Sequence, residues 1–235
     1  MNRPMNILEL KSCKINRALA YTVGLIYPLY KEKKLGNTQY ILGCVNHNNG
    51  KVTQSELANH YKSVIQLINK YMNKNKPIVR PNKTSNYTIS PKDGFTVLIE
   101  KNNVDTDECL AILTEKVKDI KMSSEDIKRE FVKGCFDGRS SWDTTAHYLS
   151  VDVDRNYDRQ DLIIAIIESL NIKLNKNRRE KNHPKNDQLR IKIDSLGYFM
   201  ANIGLYSVCR KNIVENAMQK LYGRNNIVEN AMQKL

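Results

Sequence analysis

No hydrophobic run in this sequence is long enough to cross a bilayer. The longest apolar stretch, residues 18–30, is interrupted by Pro28 and falls short of the ~20 residues a spanning helix needs. The opening Met1-Asn2-Arg3-Pro4 lacks the apolar core of a signal peptide. These absences argue against a membrane-spanning or secreted protein, and the expectation is an intracellular one, in the cytoplasm or an organelle interior. Close cysteine pairs are missing too. Cys13, Cys44, Cys109, Cys135 and Cys209 are odd in number and far apart, which excludes a zinc knuckle or a redox pair and fits small reduced thiols. The histidines, His47, His60, His147 and His183, are equally scattered. His47-Asn48-Asn49 lacks the rest of a His-Asn-His nuclease motif and reads as a turn beside Gly50. There is no glycine-rich phosphate loop and no Ser-His-Asp order.

Acid is in short supply. Against 38 Lys+Arg stand 25 Asp+Glu, a formal net charge of +13 over 235 residues, while 40% hydrophobic residues set the chain apart from a disordered polyelectrolyte. The length suits one large domain or two small ones. The excess is concentrated: residues 31–34 carry +2, residues 70–83 carry +5 and residues 173–192 carry +6, which accounts for all of it. Short charge runs are often solvated strand edges or loops, but this concentration reads as one assembled patch for an acidic partner, nucleic acid first. Its candidate members are Lys31, Lys33, Lys34, Lys74, Lys76, Arg80, Lys83, Lys176, Arg178, Arg179, Lys181, Arg190 and Lys192.

Periodicity supplies the organisation. Residues 13–29 are apolar at helical spacing, with Ile15, Leu19, Val23 and Ile26 on one side. Residues 40–45 read as a strand. Thr53-Gln54-Ser55-Glu56 is a capping box that starts a helix. Residues 77–84 and 95–100 are strand candidates, and residues 107–120 are helical. The order then repeats: a helix over 124–136 capped by Ser123 or Ser124, a strand over 148–154 with Leu149, Val151 and Val153 on one face, a helix over 161–170, strands over 172–179 and 189–193, and a closing helix over 195–208. This predicts an α+β protein of two pseudo-symmetric αββαββα halves, residues 13–121 and 122–209, too small to stand comfortably alone and so sharing a core. Residues 210–235 form a helical extension in which NIVENAMQKL occurs twice, letter for letter, at 212–221 and 226–235.

The initial helix of each half ends in a similar word: Val23-Gly24-Leu25-Ile26-Tyr27-Pro28-Leu29, and Val132-Lys133-Gly134-Cys135-Phe136-Asp137-Gly138-Arg139-Ser140-Ser141. With the doubled helix-strand order, these words resemble the LAGLIDADG family of homing endonucleases and maturases, over roughly residues 13–208. The resemblance implies a central helix pair packed closely through small residues, for which Ala20, Gly24 and Gly134 are the candidates. It implies two saddle-like sheets on double-stranded DNA, adding Arg139 and Ser141 to the contacting residues. It also implies one acid at each helix end, the two holding divalent metal, Mg²⁺ in a cleaving member, over the scissile phosphates.

Laid onto that motif, the metal-binding positions fall at Leu29 and Arg139, neither of which ligates Mg²⁺. Asp137 matches the earlier acid of the motif, a helix-end capping position, and is the remaining catalytic candidate. A slip of one or two residues would bring Asp137 or Glu32 to the metal. The sequence therefore reads first as a sequence-specific DNA-binding protein with weak or absent cleavage, a recognition module or regulator to which a partner subunit would add any catalysis. The alternatives are an active Mg²⁺-dependent endonuclease, of homing or restriction type, and a maturase-like RNA-binding protein. Fainter signals are a GIY-YIG-like pair around Gly24 and Tyr40, a Glu-x-Lys triplet at Glu32, and the set Asp152, Asp154 and Asp158, either a metal site or a polar outward strand face.

Overall fold

The computed structural model describes residues 4–45, 54–81, 94–179 and 183–222. The Thr53 cap, the His47 turn, Lys83, Lys181 and the second NIVENAMQKL copy lie outside the described residues. The first αββαββα series runs α2 (Arg17–Ile26), β1 (Glu32–Leu35), β2 (Thr38–Val45), α3 (Gln54–Tyr71), β3 (Ile78–Pro81), β4 (Phe95–Glu100) and α4 (Thr106–Lys121). The second runs α5 (Glu125–Arg139), β5 (Ser140–Asp143), β6 (Tyr148–Val153), α6 (Tyr157–Glu168), β7 (Leu174–Asn177), β8 (Asp187–Ile191) and α7 (Ile193–Asn202). A short α1 (Ile7–Ser12) precedes them and α8 (Val208–Tyr222) comes after. Each series contributes one antiparallel four-stranded sheet, with orders β1-β2-β4-β3 and β5-β6-β8-β7.

The centre is the α2–α5 pair. Every residue of α2 from Ala18 to Ile26 is buried, as expected for a helix that is apolar all round. A Cβ on Gly24 would lie 2.1 Å from the Phe131 carbonyl oxygen, and one on Gly134 would lie 2.3 Å from that of Tyr21. Tyr21 stands three residues before Gly24 and Phe131 three before Gly134, so the two approaches are related by a local twofold. Backbone meets backbone there, and only glycine fits. Ala20 is fully buried in the same core. Both sheets pack one face onto these helices: Ile41, Val45, Val97 and Ile99 from the first, Leu149, Val151, Leu189 and Ile191 from the second, all in one continuous cluster.

Two elements depart from the sequence reading. Residues 195–208 are not one helix. The chain leaves α7 at Gly204, whose φ of +64° suits a helix-ending glycine, and its N–H donates to the Phe199 carbonyl. Ser207 then accepts from the Arg210 N–H at the start of α8. The second departure is α1, which begins with a capping box of its own: Asn6 accepts from Glu9 N–H at 2.9 Å and Glu9 accepts from Asn6 N–H at 3.0 Å. The Asn-x-x-Glu signal was in the sequence. Among the described residues no helix is long and apolar enough to cross a membrane.

Candidate nucleic-acid interface

Strand pairing places the outward side chains of the two sheets in corresponding rows. In the first sheet Leu42 pairs with Leu98 and Leu98 with Ile78, and in the second Ser150 pairs with Arg190 and Arg190 with Asn175. The next row is Cys44, Thr96 and Arg80 against Asp152, Gln188 and Asn177. At the hairpins, Lys33 opposite Tyr40 corresponds to Asp143 opposite Tyr148.

The second sheet's outward face is a linked polar surface. Gln188 donates to Asp152 at 3.1 Å and Arg190 donates to Gln188 at 3.3 Å. The Arg190 guanidinium lies 4.2 Å from the Tyr148 ring centroid. Ser141 and Ser150 hydroxyls are 3.0 Å apart. Such a chain fixes amide, hydroxyl and guanidinium groups in advance of any ligand. Asn175, Asn177 and Gln188, absent from the sequence-based candidates, belong to this face. The period of two was visible there, since they alternate with Leu174, Leu189 and Ile191.

The basic candidates do not converge on one patch. Lys33 and Arg80 are exposed on the outward side of the first sheet, and Arg190 lies on that of the second. Exposed Lys31 sits opposite Leu42, whose N–H donates to its carbonyl, and exposed Lys192 continues the register of Arg190. The others face elsewhere. Lys34 pairs with Gln39 and Lys176 with Leu189, both on the helix-facing register at sheet edges. Lys74 is exposed in the turn after α3, and Lys76 donates to Asn69 at 2.7 Å. Arg178 is drawn to α6, bonded to Asp161 at 3.0 Å and stacked 4.2 Å from the Tyr157 centroid. Arg179 lies beside His183 at 3.4 Å. The single-patch expectation is corrected: the charge runs cover strand edges and turns on both sides of each sheet, because alternate strand residues point opposite ways.

At the ends of the central helices the acids are likewise not where cleavage would need them. Asp137 is wholly buried. Its carboxylate accepts from Tyr21 Oη at 3.0 Å and from the Tyr206 and Ser207 N–H groups at 3.1 Å each, with His60 Nε2 at 3.6 Å. Burial alone would raise its pKa, but the facing His60, the Ser207 N–H and Arg210 outweigh that and hold it below the ordinary aspartate value. Asp137 is thus an internal acceptor at the end of α5, the structural side of the two readings its motif position allows, and it ties α5 to α2, α3 and the α7–α8 corner. Glu32 is also committed, to Lys101 at 2.8 Å, Thr106 at 2.8 Å and Tyr30 at 2.6 Å. Asp154 pairs with Arg159 while Asp152 pairs with Gln188, so the aspartate set around residue 154 does not close on a point. Among the described residues no three His, Cys, Asp or Glu side chains gather into a cation site.

The two residues that the motif resemblance lays on the metal positions are Leu29, half-buried as the last residue of the 3₁₀ turn Tyr27–Leu29, and Arg139, the last residue of α5. A hydrocarbon and a guanidinium offer no oxygen donors, so a divalent metal does not fit between these two side chains. Among the described residues Arg139 makes no ion pair and its Nε has no hydrogen-bond partner. One residue the sequence did not single out closes this region. Arg159, from α6, donates to the Tyr27 carbonyl and pairs with Asp154, its guanidinium 4.6 Å from the Tyr27 centroid.

This doubled αββαββα arrangement about a glycine-contacted helix pair is the LAGLIDADG fold. Among solved structures, the chain is similar to the homing endonuclease I-DmoI in complex with DNA and Mn, at a TM-score of 0.51 and 15% identity, covering 81% of this chain and 98% of that one. It is also similar to mesophilic variants of I-DmoI, at a TM-score of 0.50 and 16% identity, covering 80% and 95%. A third match is the N-terminal LAGLIDADG domain of WhiA, at a TM-score of 0.44 and 11% identity, covering 86% and 94%. No protein-family model matches the sequence, and no curated protein matches it.

Proposed function

We propose that this chain is a sequence-specific double-stranded DNA-binding protein of LAGLIDADG architecture that holds its site without cutting it. The observation that carries the second half of this reading is the pair Leu29 and Arg139 at the helix ends, where cleavage would need two carboxylates. Support for the first half is the polar row on the second sheet: Arg190, Gln188, Asn175 and Asn177 carry the groups that pair with guanine and adenine edges in a major groove. Similarity of fold to I-DmoI, whose structures are described in complex with DNA, agrees with it. Arg139 places a cation where the duplex would pass the helix ends, suited to a phosphate.

Selection of bound sites from a random duplex library, followed by incubation of a plasmid carrying the selected site with Mg²⁺, tests both halves. Retention of a defined site with the plasmid left intact is expected. Double-strand cutting would overturn the non-cleaving assignment, and better competition by structured RNA than by duplex would overturn the choice of DNA.

Charge placement gives a further expectation. Replacing Lys33 and Arg80 together with alanine should lower the salt dependence of binding, by about 0.9 in log–log slope for each phosphate that is no longer neutralised. Arg178→Ala, whose side chain is turned to Asp161, should leave that slope unchanged. Titrations between about 50 and 200 mM salt, over which log affinity falls linearly with log salt, read the difference.

A further inference from the structure

The corresponding rows of the two sheets carry opposite chemistry. Where the row of the second sheet is Ser150, Arg190 and Asn175, that of the first is Leu42, Leu98 and Ile78, with Leu42 and Leu98 buried beneath the half-buried Leu35 and Ile78. This is not a piece of the main core. Tyr40, Leu42 and Leu98 form a separate apolar cluster on the side of the sheet away from the helices, joined by Leu35, Cys44 and Ile78. Above it lies a concavity of about 420 Å³ lined by Lys33, Leu35, Leu42, Cys44, Arg80 and Thr96, among others. The rim residues Leu35, Cys44, Ile78 and Thr96 are half-buried, while Lys33 and Arg80 are exposed.

We infer that the two sheets read their half-sites by different chemistry, the first sheet taking a thymine-rich half-site through the methyl groups and the second reading base edges through hydrogen bonds. This rests on the DNA-binding reading above. The occupant is set by the chemistry of the concavity. Among the described residues its floor, Leu42 and Leu98, offers no hydrogen-bonding group, and the polar lining is confined to the sides, at Thr96, Cys44, Lys33 and Arg80. Guanine and cytosine edges, pressed onto Leu42 and Leu98, would lose their water partners and gain none. A thymine presents a methyl group in the major groove, which prefers such a surface. Lys33 and Arg80 flank the apolar floor and supply positive charge for the phosphates on either side. An uncharged apolar ligand would leave both cations without a purpose, whereas a duplex uses floor and flanks together.

The wild-type protein tests this directly. On the selected duplex, thymine is replaced by deoxyuridine in one half-site at a time, which removes the methyl group and keeps pairing and charge. One half-site is expected to lose about fourfold in affinity for each contacted methyl, the other to be indifferent. Leu35→Asn and Ile78→Asn, both on edge strands, should each weaken this sensitivity in the responsive half-site alone. Equal sensitivity in both half-sites, insensitivity in both, or sensitivity unaltered by either variant would overturn the inference. Failure of the wild-type protein to retain any duplex would instead overturn the DNA-binding reading on which it stands.

Discussion

Gly24→Ala is expected to destabilise the protein by about 3 kcal/mol or more, an unusual cost for one methyl group. The added carbon would sit 2.1 Å from the Phe131 carbonyl oxygen and 3.1 Å from the Cys135 amide nitrogen. Neither atom belongs to a side chain that can swing away, so relief comes only from separating α2 and α5 along their whole contact. Gly134→Ala meets the Tyr21 carbonyl in the same way, at 2.3 Å. The two substitutions press on one interface from opposite sides. Once either has spread the helices, the second has less to displace, and the double variant should be less destabilised than the sum of the singles by about 1 kcal/mol. Urea unfolding of the four proteins measures this. Additive losses would mean that each glycine is accommodated locally and that the pair does not act as one contact.

Asp137→Ala should be comparably damaging, by about 3–5 kcal/mol, because it leaves several buried donors without their acceptor. The Tyr21 hydroxyl and the Tyr206 and Ser207 N–H groups all lose their bond to the carboxylate in the interior of the protein. Asp137→Asn keeps one acceptor oxygen and should cost less. The pH dependence has a definite sign. A carboxyl held below its unfolded pKa contributes stability that is complete above about pH 4 and is lost as pH falls through the lower folded value. The gap in stability between wild type and Asp137→Asn should therefore be widest near neutrality and narrow in acid. A gap that stayed constant down to the acid limit would show that the carboxylate charge contributes nothing beyond its geometry.

The same residues show how far the sequence could be read. The doubled αββαββα order was legible because amphipathic period and turn residues are local, and strand 148–153 with its Leu-Val-Val face is the plainest case. The end of α7 was legible in principle, in Gly204 and Ser207, yet the apolar residues on both sides made the segment look continuous. The candidate site was harder. That Leu29 and Arg139 stand at the ends of the two central helices could be read from their words alone, because the end of an apolar helical pattern is a local signal. Asp137 could not be recognised as an internal acceptor, since its partners come from Tyr21, His60 and the 206–207 corner, all distant in sequence. Charge runs misled for a physical reason: a run of lysines on an edge strand points to both faces in turn, so Lys33 and Lys34 part company although they are adjacent. Correspondence between the Leu42 and Ser150 rows needed strand register, which no composition reveals.

The fastening of the first motif by Arg159 has a bearing on time as well as on strength. The Tyr27 carbonyl is closed by a residue 132 positions further along, and Tyr21 finds Asp137 after 116. Loops of that length close slowly, and their contacts come late in folding. While the chain emerges in order from its N-terminus, α2 is made early but remains without its glycine partner, its helix-end clasp and its hydroxyl acceptor until the second series has been produced. An apolar helix meant for the very centre of the molecule must wait, uncovered, for more than a hundred residues. The interval between making α2 and burying it is thus the stage at which this chain is most exposed to misassociation with its own kind.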